Sequence, residues 1–119
     1  QLGGFDERFF VYLEDLDFSL RARQAGWGSF YLTEARAFHR GGGTSDQIKA
    51  TRLFYALRSR LQYARKHFGT GGAALVSVCT WVVEPGVRAL ACLAGRSPTG
   101  LIDTADAYRH LWRARETAR

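Results

Sequence analysis

FFVYLEDLDFSLRARQAGW, residues 9–27, decides how this chain is read, because an apolar run leads straight into a group of carboxylates. Phe9, Phe10, Val11, Tyr12 and Leu13 form a short strand or the approach to a turn, and Glu14, Asp15 and Asp17 follow within four positions. From Leu16 to Ala25 the rhythm turns helical, with Leu16, Leu20 and Ala25 set among Arg21, Arg23 and Gln24, and Gly26 is a natural C-terminal stop. Like charges this close repel, so the acidic group needs a reason. One is structural: Asp15 caps the helix, while Asp17 favours its N-terminal dipole and pairs with Arg21 at i+4. The other is chemical: a carboxylate crowded by its neighbours holds a proton more readily and makes a better base.

Further along, Ser29–Leu32 and Ala35–His39 read as two short strands or extended segments around a Thr33-Glu34 turn, followed by a flexible Gly41-Gly42-Gly43. Thr44 with Gln47 fits a capping box, and Ile48, Leu53, Leu57, Leu61, Ala64 and Phe68 then trace the apolar stripe of an amphipathic helix ending at Gly69. Its other faces carry Lys49, Arg52, Arg58, Arg60, Arg65 and Lys66. After a break at Gly71-Gly72 the apolar stretch Ala73–Val83 falls well short of the ~20 residues of a spanning helix. Glu84, Pro85 and Arg88 point instead to two short helices broken at Pro85, packed on the domain or lying in a membrane interface. Asp103 or Thr104 caps a last helix that places Tyr108, Leu111 and Trp112 near one face.

At 119 residues the chain is at most one small domain. It opens at Gln1 without the basic and apolar pattern of a signal peptide, and is read as a fragment of a longer protein. Residues 1–40 carry five Lys/Arg against six Asp/Glu, and residues 41–119 carry twelve against five. The basic excess thus belongs to the C-terminal part and favours phosphate groups of some kind. Cys79 and Cys92 lie in apolar surroundings with no metal-type spacing, which predicts reduced, buried thiols in a cytosolic compartment.

Gly3-Gly4-Phe5-Asp6-Glu7, Glu14-Asp15 followed by Asp17, Arg21, Gly26-Trp27, and His39 with its glycine-rich turn and Ser45 form an ordered set. Together they resemble the C-terminal half of the catalytic domain of family 2 glycosyltransferases, bacterial rhamnosyltransferase-like and galactofuranosyltransferase-like enzymes above all. The resemblance covers about residues 3–69. It implies an α/β fold, the C-terminal portion of a GT-A (Rossmann-like) domain followed by amphipathic helices. The expected divisions are residues 1–44 as the acceptor-side and catalytic-base part of the GT-A domain, 45–69 as the basic amphipathic helix and 70–119 as a C-terminal helical region, either packed on the domain or associated with a membrane. The nucleotide-binding half with its DxD motif is not in this sequence, where Asp15-Leu16-Asp17 is the one such triplet and is misplaced for that role.

The same resemblance implies an inverting transfer from a nucleotide-sugar donor to a cell-wall or surface polysaccharide acceptor carried on polyprenyl diphosphate. A carboxylate must then receive the acceptor's hydroxyl proton. Asp15 is implied as that base, Glu14 and Asp17 as acceptor contacts, and His39 as a ligand of a divalent metal, Mg or Mn, bound mostly by the other half. The expected setting is the cytoplasm, either free or peripheral on the inner face of the plasma membrane with an anionic lipid surface as partner, with no nucleic acid, and with self-association through uncovered strand edges. The competing reading is a non-enzymatic basic helical module that binds membrane or nucleic acid through residues 45–68.

Overall fold

The computed structural model describes residues 2–38, 48–95 and 97–116. Five helices follow in order: α1 (Glu14–Gln24), α2 (Lys49–His67), α3 (Gly69–Val78), α4 (Glu84–Ala94) and α5 (Pro98–Glu116), with a π turn (Cys79–Val83) joining α3 to α4. No strand occurs among the described residues, so the α/β, GT-A expectation is overturned: the described chain is all-helical. A strand exists only as part of a hydrogen-bonded ladder. Ser29–Leu32 and the described part of Ala35–His39 have no such neighbour. They are irregular, joined by the expected Thr33-Glu34 turn with Ala35 N–H donating to the Leu32 carbonyl at 3.3 Å. The Thr44–Gln47 capping box and the 44/45 boundary lie outside the described residues.

Gly26 ends α1 as its sequence suggests. Its φ of 85° lets Gly26 N–H reach the Arg23 carbonyl and Trp27 N–H reach the Ala22 carbonyl, the paired bonds of a Schellman stop. In α2, Leu57, Leu61 and Ala64 recur at helical spacing and are all buried, packed on the buried Ala107 and Leu111 side of α5 with Leu53, Phe54, Trp81 and Tyr108 around them. The chain reverses at Gly69 (φ 64°), two residues before the anticipated Gly71-Gly72 break, and α3 folds back along α2.

Pro85 does not separate two helices. Gly69–Ala94 is one helical run, long and apolar enough to cross a membrane, in which the π turn absorbs the proline. Glu84 N–H donates to the Cys79 carbonyl, so the next bond of that register would join Pro85 to the Thr80 carbonyl. Proline has no N–H. The Tyr108 hydroxyl of α5 donates to that carbonyl instead, at 2.7 Å. One side of the run thus meets α2 and α5, where Glu84 pairs with Arg60 of α2 as well as with Arg88 one turn along its own helix. The other side exposes Leu75, Val78, Val82, Val83, Val87, Leu90 and Leu93. Both cysteines are free, but Cys79 is exposed and Cys92 half-buried, which corrects the expectation of two buried thiols. The last helix begins at Pro98, upstream of Asp103, with Ser97 Oγ facing the Gly100 N–H at 3.4 Å.

Candidate active site

The glycine pair at the start of the chain takes left-handed backbone, φ 70° at Gly3 and 81° at Gly4. That shape is held from α1: Arg21 donates to the Leu2 and Gly4 carbonyls, each at 2.7 Å, and through Nε to Asp17 at 2.8 Å. Asp17 is fully buried. Its other oxygen meets Lys66 Nζ at 2.6 Å and His67 Nε2 at 2.7 Å, both from the last turn of α2. Lys66 also reaches Asp6 at 2.7 Å, and Arg8 pairs with Asp6 as well. Phe9, itself buried, lies 5.7 Å from the Lys66 ammonium, and Phe18 lies 5.6 Å from the Arg21 guanidinium. The chain start, α1 and α2 are thereby tied into one charged hub.

Burial pushes the Asp17 carboxyl up, but the hydrogen bonds from Lys66, His67 and Arg21 outweigh it and hold the pKa at about 2. Hydrogen bonds from Arg8 and then Lys66 hold Asp6 well below the usual carboxylate range. Both therefore stay ionised at neutral pH and matched by cations.

Asp15 is placed differently. Two residues along a helix is about 200°, so Asp15 and Asp17 leave opposite sides of α1. Asp15 is exposed, and its Oδ1 accepts the Leu16 N–H at 2.8 Å. Leu13 occupies the N-cap position and no side chain caps the helix. Glu14 is half-buried beside it, with Oε2 buried and without a hydrogen-bond partner among the described residues. The turn that presents this pair is strained, because Tyr12 and Leu13 both have φ 67°, a region that costs a residue with a side chain about 1–3 kcal/mol. Ser59 of α2 braces it by donating to the Val11 carbonyl at 2.7 Å, and Phe10 stacks on Tyr55 at 4.9 Å.

The three carboxylates thus share one turn, but Asp15 is exposed, Glu14 half-buried with one oxygen enclosed, and Asp17 fully buried. Asp17, with both oxygens held by cations, forms the Arg21 pair expected of it. His39 lies outside the described residues, and among those described no group of three His, Cys, Asp or Glu side chains gathers as a metal site. Sequence reasoning missed Asp6, Lys66 and His67. They lie some fifty to sixty positions from their partners in the chain, and the one available signal was a Lys-His pair ending α2 one turn beyond the buried Ala64.

No protein-family profile matches the chain, and no solved structure matches it. Over 53 residues it is 42% identical to N-acetylglucosaminyl-diphospho-decaprenol L-rhamnosyltransferase of Mycobacterium tuberculosis, in strains CDC 1551 / Oshkosh and ATCC 25618 / H37Rv. That stretch is 44% of this chain and 17% of the relative's length. The chain is accordingly a partial homologue of a glycosyltransferase.

Proposed function

We propose that this chain is the acceptor-side part of an inverting family 2 glycosyltransferase that elongates a polyprenyl-diphosphate-linked glycan, with Asp15 as its general base. The observation that carries the reading is the division of labour at the start of α1. Of three neighbouring carboxylates one is buried among cations, one is half-buried, and Asp15 alone is exposed, beside a braced and strained turn. In the proposed step the acceptor hydroxyl oxygen attacks the anomeric carbon of a nucleotide-sugar. Its proton passes to an Asp15 oxygen as the bond from carbon to the nucleoside diphosphate breaks. Glu14 stands next to Asp15 and takes an acceptor hydroxyl. The mycobacterial relative, named for acting on a diphospho-decaprenol sugar, supports the acceptor class.

The helical run Gly69–Ala94 supports work at a lipid surface. It packs along α2 and α5, which carry Arg58, Arg60, Arg65, Lys66, Arg109 and Arg113. Inserting the run across a bilayer would drag those charges into hydrocarbon, so we place it flat in the interface with Leu75, Val82 and Leu90 downward. The test is product analysis: full-length protein given a nucleotide-sugar and a lipid-linked acceptor yields an acceptor one sugar longer. Hydrolysis of the donor without an extended acceptor would refute the reading.

A further inference from the structure

A cavity of about 550 Å³ opens between α2, α5 and the π turn, within the size range of ligand sites. Its lining includes Arg8, Arg58, Gln62, Arg65, Lys66 and Arg115. Arg58, Gln62 and Arg65 fall at i, i+4 and i+7 on α2 and so form one stripe. Arg8 and Lys66 already have Asp6 and Asp17 as partners, whereas Arg58, Arg65 and Arg115 make no ion pair among the described residues. Gathering unmatched guanidinium groups around one space costs Coulomb energy that a bound anion would reverse. Between the two arginines of the stripe, Gln62 Nε2 is buried with no hydrogen-bond partner, a donor left waiting for an acceptor.

We infer that this cavity is a diphosphate site and that it holds the diphosphate of the lipid-linked acceptor, an assignment that rests on the reading above. Three unmatched guanidinium groups and a buried amide donor suit a group with several charged oxygens better than a single carboxylate. The lipid source is favoured by Trp81, which lines the cavity from the π turn while the next two residues, Val82 and Val83, are exposed on the apolar face. Charged head and apolar tail of one amphiphile would then meet the same helical run. Lys66 lines the cavity and also grips Asp17 in the first turn of α1.

The probe is inorganic pyrophosphate, titrated into the purified protein at low salt and followed by calorimetry. Saturable binding is expected, weakened on the order of tenfold or more in Arg58→Ala/Arg65→Ala. Gln62→Leu, which keeps the charge, is also expected to weaken it, and the charge-matched pair Arg23→Ala/Lys49→Ala leaves it unchanged. Phosphatidylcholine vesicles carrying polyprenyl diphosphate displace pyrophosphate at lower concentration than UDP does. No saturable binding, or equal weakening by the control pair, overturns the site. Displacement by UDP as readily as by the lipid, or more so, overturns the choice of the lipid. Asp15→Asn binds pyrophosphate like the parent protein whatever its transfer rate, so failure of the cavity and failure of the base assignment are read separately.

Discussion

At the scale of single residues, α1 makes opposite uses of two aspartates two positions apart. Asp17 is an anchor. Asp17→Asn removes the charge that Lys66 and Arg21 answer, and these keep only 22% and 20% of their side-chain surface in water. The expected loss is about 2–4 kcal/mol, seen as a lower melting temperature. Acid acts on the same group. Because its pKa is about 2 when folded against an ordinary 3.8, the folded state binds fewer protons between those values. The stability it contributes is therefore complete above about pH 4 and drains away as the pH falls toward 2. Melting curves recorded across that range should slope less in Asp17→Asn; an unchanged slope would remove Asp17 as the source. The i+4 pair with Arg21 was legible in the sequence. Lys66 and His67 were not, since nothing local says which distant carboxylate a basic side chain meets.

Among the elements, the helices were easier to foresee than what joins them. The stripe through Leu57, Leu61 and Ala64 and the stop at Gly26 follow from side-chain period and left-handed backbone, both local properties. The extended segments misled because Phe30, Tyr31 and Leu32 have strand-like composition but no ladder to join, and remain largely exposed. Pro85 misled as well: its missing N–H is absorbed by a π turn and by a tyrosine from another helix. That arrangement is testable. Tyr108→Phe leaves the Thr80 carbonyl without its donor and should cost about 1–3 kcal/mol. Pro85→Ala restores a backbone N–H, so the double variant should lose less than the sum of the two. Strict additivity in thermal melts would argue against the link.

Over the whole molecule, little of the apolar surface is enclosed. The radius of gyration is 16.9 Å, against roughly 13.5 Å for a compact chain of this length. No strand edges are available among the described residues, and the exposed apolar surface that could serve association includes the apolar face of Gly69–Ala94 and the aromatic residues Phe30, Tyr31 and Phe38. On the lipid reading, the protein binds anionic vesicles at low salt and releases them as salt rises. Leu75→Glu/Leu90→Glu should reduce that binding at least tenfold while the melting temperature stays within a degree or two. Vesicle binding unaffected by this change would move the contact elsewhere. The central claim is the base, and the transfer rate of full-length Asp15→Asn tests it most directly, measured at saturating donor and acceptor beside a melting curve. The amide keeps the shape and can still accept the Leu16 N–H, but it cannot take a proton. Our account predicts a turnover lower by a factor of roughly 10² to 10⁴ at a nearly unchanged melting temperature, and transfer at close to the parental rate would contradict it.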